Sequence, residues 1–254
     1  MMDLIKMKQE IDRNWCFVEE EFDIKKNRHY ESVLALGTGY ITTRASFEEG
    51  FENDDQSKEF NRFMNNVTLE KIAAEKSKWG SYMPVIQARH PFLNMNNVNL
   101  PYYLGYEIVV DGEKLDMEKA KMQDYLRWLD IKTATLYRVF QWETKSGKSI
   151  LVSFKRFMNP VQRFICVQQC ELIMLKGDCK FEIHSFIDNN VRTNGFDMYA
   201  KHEIGVAEPD IIYSDVVTHF GNRIITASRT VSNVKTSASV AGCVKTASLL
   251  SQNH

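Results

Sequence analysis

Residues 31–49 read ESVLALGTGYITTRASFEE, and the fold turns on how this stretch is parsed. Val33, Leu34 and Leu36 make an apolar run that breaks at Gly37-Thr38-Gly39. Beyond the break the side chains alternate. Tyr40, Thr42, Arg44 and Ser46 take one face of an expected strand, and Ile41, Thr43, Ala45 and Phe47 take the other. Two glycines one residue apart between strand-like runs mark a backbone held close to a neighbour, or a turn that needs positive φ. Arg44 with the pair Glu48-Glu49 then brings charge to one end of the sheet.

Outward from this stretch, turn signals recur with β-branched and aromatic residues between them. Asp111-Gly112 is a two-residue hairpin signal after the apolar run Tyr103 to Val110. Thr135 to Glu143 alternates Leu136, Arg138, Phe140 and Trp142 against Tyr137, Val139, Gln141 and Glu143, turns at residues 145–148, and returns over Ser149 to Met158. Further hairpins are expected from Arg163 to Ile187, turning at Lys176-Gly177-Asp178, and from Ile211 to Val231, turning at Gly221-Asn222. The tail from Ser232 can add one more strand. Such regular punctuation predicts an all-β sandwich or barrel. The first dozen residues fit a short helix, and Trp15 to Phe22 a first strand whose Glu19, Glu20 and Glu21 form a solvated acidic edge. Val67 to Trp79 has apolar residues at helical spacing, with Gly80 as its stop, and predicts a decorating helix.

The opening stretch resembles the N-terminal signature of glycoside hydrolase family 65, the maltose, trehalose and kojibiose phosphorylases and related hydrolases. The match is carried by Glu31, Ser32, Gly37, Gly39, Tyr40, Arg44, Glu48 and Glu49. Thr38 stands where the family has Asn, and Thr42 and Ala45 stand where it has glycines. Further elements follow in the family's order. They are Val98-Asn99-Leu100-Pro101, then Arg127-Trp128-Leu129-Asp130 leading to Leu136 and Arg138, and then Ser153, Arg156 and Phe157. The resemblance implies a large twisted β-sandwich, similar to galactose mutarotase in fold, with one or two helices on it. It implies that residues 1–254 form a single N-terminal domain, matching best over residues 14–231. The parent would be an inverting phosphorylase or hydrolase of an α-glucoside. Its general acid and phosphate-binding segment sit in a six-fold α/α barrel that has no counterpart after Val231. The implied partners are that barrel and a second copy of the chain, with disaccharide and phosphate bound only by the parent.

Composition narrows the rest. A net charge of −1 with no basic cluster leaves nothing to neutralise a nucleic acid backbone or an anionic membrane. No apolar run reaches the ~18–20 residues a spanning helix needs, and the N-terminus lacks the uninterrupted apolar core of a signal peptide. A cytoplasmic protein is the expectation. The five cysteines form no C-x-x-C pair. Cys166 and Cys170, four apart on one strand, lie about 13 Å apart at ~3.3 Å per residue. That exceeds the roughly 7 Å a disulfide allows, so buried thiols are expected.

Candidate site residues are few. Tyr40, Arg44, Glu48, Glu49, Arg127 and Asp130 either face sugar or the barrel, or form ion pairs inside the domain. Charges at a surface stabilise little, so structural ones should be partly buried. Arg127 and Asp130, three apart, would sit side by side only on a helical turn bracing a loop. No metal or other cofactor is expected, since the histidines lack ligand spacing. An aldose epimerase would need two of His184, His202 and His219 to converge with a carboxylate. A stand-alone carbohydrate-binding module would use exposed aromatics, with Trp79, Trp128 and Trp142 as candidates. Trp142 alternates with Phe140 and Leu136 and so reads as core. Glu208-Pro209-Asp210 reads as a turn.

Overall fold

The computed structural model describes residues 4–50, 80–90, 94–193, 196–208, 211–235 and 241–253. One antiparallel sheet carries nine strands. Their order is β1 (Cys16–Glu19), β9 (Lys121–Asp130), β10 (Thr135–Glu143), β11 (Ser149–Met158), β12 (Ile165–Lys176), β17 (Ala241–Asn253), β16 (Arg223–Lys235), β15 (Ile211–Thr218) and β14 (Tyr199–Glu208). Against its inner face packs a three-stranded sheet of β13 (Phe181–Asp188), β7 (Tyr102–Val110) and β8 (Glu113–Lys114). Two small sheets complete the layer: β2 (Leu36–Gly37), β3 (Thr42–Thr43) and β4 (Ser81–Tyr82), and β5 (Gln87–Arg89) with β6 (Met95–Asn97). The fold is the all-β sandwich expected. Its described helices are α1 (Leu4–Glu10) and α2 (Asn27–Val33). The helix expected over Val67–Trp79 lies outside the described residues.

Alternation sets the layers. On β10, Leu136, Arg138, Phe140 and Trp142 all turn inward, and on β11 Ile150, Val152, Phe154, Arg156 and Met158 do the same. The outer face is covered at one end, where Met7 and Ile11 near α1 pack on Leu126, Trp128, Val139 and Leu151. The Asp111-Gly112 turn joins β7 to β8. The hairpins β10–β11 and β15–β16 form as expected, and the tail supplies β17.

Three expectations fail for identifiable reasons. Residues 163–187 do not make a hairpin. The free edge of β12 is taken by β17, so after Gly177 the chain crosses to the facing layer and β13 pairs with β7. Asp111 anchors that crossing, its amide donating to the Lys180 carbonyl at 3.0 Å while its carboxylate accepts the Lys180 amide at 2.9 Å. Next, Glu31 to Val33 belong to helix α2, because the buried Glu31 accepts from Asn27 and Arg28 one turn back, at 2.8 and 2.9 Å. The strand expected over residues 40–47 shrinks to Thr42–Thr43, and Arg44 to Gly50 run irregularly between the layers. The glycine break is a turn, with Gly39 at φ 83°. Thr38 stabilises it, its hydroxyl oxygen accepting the amides of Tyr40 and Ile41, both at 3.3 Å.

Gly105 on β7 lies opposite Phe186 on β13, and a methyl group there would stand 2.4 Å from the Phe186 ring. Alanine at an unconstrained strand glycine stabilises, but overpacking costs about 1–3 kcal/mol. Gly105→Ala should therefore lower the urea midpoint. A raised midpoint would mean that the ring yields freely.

Candidate functional site

Five of the residues that carry the family resemblance, Glu48, Glu49, Arg127, Arg138 and Arg156, are far apart in sequence and meet in one place. Arg127 on β9, Arg138 on β10 and Arg156 on β11 all point inward, followed by Gln168 on β12. Arg127 pairs directly across from Arg138, and Arg156 across from Gln168. Together they form a polar belt across four strands. On each strand it separates an apolar neighbour of one core cluster from that of the other: Leu129 from Tyr125, Leu136 from Phe140, Met158 from Phe154, and Cys166 from Cys170.

The irregular segment Arg44 to Glu49 lies against this belt. Buried backbone outside a sheet must find other partners, and the guanidinium groups supply them. Arg127 donates to the Ala45 carbonyl at 2.8 Å, and Arg156 to those of Arg44 and Ser46 at 3.3 and 3.1 Å. Glu48 bridges Arg138, at 2.7 Å, and Arg156. Glu49 takes a two-pronged contact from Arg138 at 2.6 and 2.5 Å. Glu19 accepts from Arg127 at 2.6 Å and from the Tyr125 hydroxyl at 2.8 Å. Asn27 and Gln168 close the ends, Asn27 accepting from Arg127 and Gln168 donating to the Leu104 carbonyl. The Phe47 ring lies between Arg127 and Arg138, 4.7 and 4.5 Å from their guanidinium carbons. Three cations thus face three carboxylates, all buried.

This electrostatic setting divides two adjacent acids. Burial acts to raise both. At Glu48 the guanidinium groups of Arg156 and Arg138 outweigh it and hold the carboxyl below the usual range. At Glu49 burial prevails, and the carboxyl rises. Burial also acts to lower Arg138, but Glu49 and Glu48 keep it protonated and raised. Cys166, beside the belt, is pushed up to about 12 by burial.

The six candidate residues therefore part company. Glu48, Glu49 and Arg127 are in the belt; Arg127 is 1% exposed. Arg44 does not join Glu48 and Glu49. Its guanidinium reaches Glu31 at 3.3 Å and the Arg28 carbonyl at 2.9 Å. Arg127 and Asp130 do not pair, since both lie on a strand rather than a helical turn. Asp130 instead accepts from the Lys132 amide and the Thr133 hydroxyl, each at 2.9 Å, in the turn before β10. Tyr40 is exposed (43%), edge-on to Phe164 and beneath Arg163. Glu19 corrects the solvated acidic edge: it faces the core, whereas Glu20 and Glu21 face solvent. Arg138 and Arg156 are site residues that the candidate set lacked, although each breaks an apolar inward row.

The remaining candidates scatter. His184 lies 3.5 Å from Glu182, His202 lies 3.0 Å from Asp197, and His219 sits in the exposed turn after β15 rather than on a strand. Trp142 is core, Trp128 stacks flat on Tyr137, and Trp79 lies outside the described residues, as do Pro209 and Asp210. Among the described residues no group of His, Cys, Asp and Glu is arranged to hold a metal, and no helix is long and apolar enough to cross a membrane. Cys166 and Cys170 are buried thiols on the inner face of β12.

A family model described as "Glycosyl hydrolase family 65, N-terminal domain" matches residues 17–247. A kojibiose phosphorylase of Halothermothrix orenii is 25% identical over 193 residues, which is 74% of this chain and 21% of that protein. An α,α-trehalose phosphorylase of Thermoanaerobacter brockii is 25% identical over 179 residues, 70% of this chain and 22% of that protein. A solved structure described as a putative kojibiose phosphorylase from the human microbiome shares the fold, with a TM-score of 0.68 at 17% identity. It covers 96% of this chain and 33% of that one. The chain thus spans about a fifth of the length of the curated relatives it matches.

Removing one partner of a buried ion pair costs about 3–5 kcal/mol, and Arg138→Met should cost that much in urea unfolding. A loss under about 1 kcal/mol would contradict the pairing described. Glu48 carries a pH signature. Its folded pKa lies below the unfolded 4.5, so its stabilisation is complete above 4.5 and is lost as pH falls through the folded value. Glu49, raised, has the opposite sign; Glu48 is a lesser cause of that rise than burial, so Glu48→Gln relieves only part of it. The gap in urea midpoint between wild type and Glu48→Gln should be widest near neutral pH and shrink below 4.5. A gap constant with pH would refute it.

Proposed function

This chain belongs to glycosyl hydrolase family 65, through its N-terminal domain, and from that premise we propose that it is the β-sandwich domain of a disaccharide phosphorylase. In this reading residues 1–254 are one domain of a larger cytoplasmic enzyme that cleaves an α-glucoside with inversion. The chemistry belongs to an α/α barrel outside these residues, and the sandwich holds that barrel, contributes to a dimer and borders the mouth of the active site.

One observation carries the reading. Of the charged residues that match the family, Glu48, Glu49, Arg127, Arg138 and Arg156 are engaged in the buried belt, where each carboxylate faces a guanidinium group. General acid–base catalysis needs a group within reach of the substrate proton, and glycoside cleavage needs an acid positioned at the bond to be broken. Glu19, Glu48 and Glu49 are closed off from solvent, each paired with an arginine. Tyr40, with Arg163 and Phe164 on the adjoining loop, is the member of the matching stretch that offers a face to another body. We assign it to contact with the barrel. His184 and His202 lie beside different carboxylates and His219 is in an exposed turn, so the epimerase reading finds no converging pair among them.

The test is an assay of the purified chain with phosphate and, separately, kojibiose, trehalose and maltose, following glucose 1-phosphate and glucose. No turnover above a no-protein control is the expected result. Sustained release of either product would overturn the proposal.

A further inference from the structure

A second feature lies on the opposite face of the large sheet. Between the turn after α1 and the turn joining β9 to β10 is an open cleft of about 330 Å³, within the range of small-molecule sites, roughly 300–1,000 Å³. Its floor is the half-buried Tyr137, whose ring lies flat on the buried Trp128, 4.7 Å apart and 12° from parallel. Its wall is Trp15, which stays 47% exposed.

The cleft is held in shape without a ligand. The Trp15 amide donates to the Asp12 carbonyl and the Ile131 amide to the Trp15 carbonyl, each at 2.9 Å. Lys132 bonds Asp12 at 2.9 Å and sits 5.3 Å from the Trp15 ring centre. Asp130 fixes its own turn through backbone amides. Two turns are thus laced together across the opening, and a site already ordered avoids much of the entropic cost of binding.

We propose that this cleft binds a neutral hexopyranose unit. A pyranose presents apolar C–H faces, which match indole and phenol rings, and a rim of hydroxyls, which match carboxylates accepting charge-assisted hydrogen bonds. Asp12 and Asp130 supply those acceptors at the margin of the aromatic surface. A cationic ligand is a poorer match, because Lys132 already occupies the place of a cation beside Trp15 and Asp12. An anionic one would meet the three carboxylates of Glu10, Asp12 and Asp130. The site is separate from the belt and from the chemistry assigned to the barrel, so it holds sugar without cleaving it.

Calorimetric titration of the full chain with glucose, maltose and maltoheptaose tests this, together with the Trp15 indole N–H resonance, assigned through Trp15→Phe. Saturable heat and a saturable shift of that resonance are expected. Trp15→Ala should weaken binding about fivefold to tenfold with an unchanged melting temperature, while Tyr40→Ala should leave it intact. Asp12→Asn, which keeps the shape and removes the charge, should also weaken it. Tighter binding of maltoheptaose would identify a glucan chain end as the occupant, and equal affinities a free sugar. Absence of saturable heat, binding undiminished in Trp15→Ala, or loss in Tyr40→Ala in its place would each overturn the proposal. Release of glucose 1-phosphate would bear on the phosphorylase-domain reading and not on this one.

Discussion

Three arginines buried in the middle of a β-sandwich impose the condition that everything around them meets. A guanidinium group taken out of water is tolerated only if its hydrogen-bonding groups and its charge are matched. Here the match comes from three carboxylates and from the carbonyls of a stretch that forms no ladder. The dependence is mutual. Arg44 to Glu49 can pass between the layers as irregular backbone because the arginines satisfy it, and the arginines can be buried because that backbone is irregular. Two apolar clusters flank the belt and keep water from it.

Such an arrangement favours one alignment of the layers over its neighbours. An apolar core tolerates sliding, since one leucine contact resembles another. A belt of directed bonds does not. Shifting β10 by one residue would turn Arg138 to the outer face and leave Glu49 buried without its partner. The part of the family signature that enters the belt, Glu48, Glu49, Arg127, Arg138 and Arg156, therefore has a physical content: it fixes the register of the sandwich.

Much of this was legible in the residues. The alternation of Leu136, Phe140 and Trp142 fixes which side of β10 is inward, and it puts Arg138 in the same row. A cation within an apolar stripe points to a buried partner. The identity of the partner was not legible, because it comes from a segment 90 residues earlier that no local rule brings close. Glu19 was hidden for the same reason, one buried acid beside two exposed ones. Helix α2 escaped because its apolar residues are few and its stability rests on Glu31, whose contacts to Arg44 are tertiary. The β12–β13 hairpin was suggested by a good turn, but turns set local direction and not which edge the next strand joins. That choice was made by β17, distant in sequence.

The position of β17 has a consequence for how the molecule is assembled. The strand latest in the sequence among those described lies in the interior of the nine-stranded sheet, bonded to β12 on one side and β16 on the other. As the chain leaves the ribosome, β9 to β12 can associate early, and β14 to β16 can form a meander of their own. The two halves have no hydrogen-bonded connection until the intervening strand arrives. Closure of the sheet thus waits on contacts of long sequence separation, which form slowly, and meanwhile two strand edges stand open to pairing with other chains. Synthesis interrupted before Ala241 would leave the sandwich as two half-sheets seeking a partner.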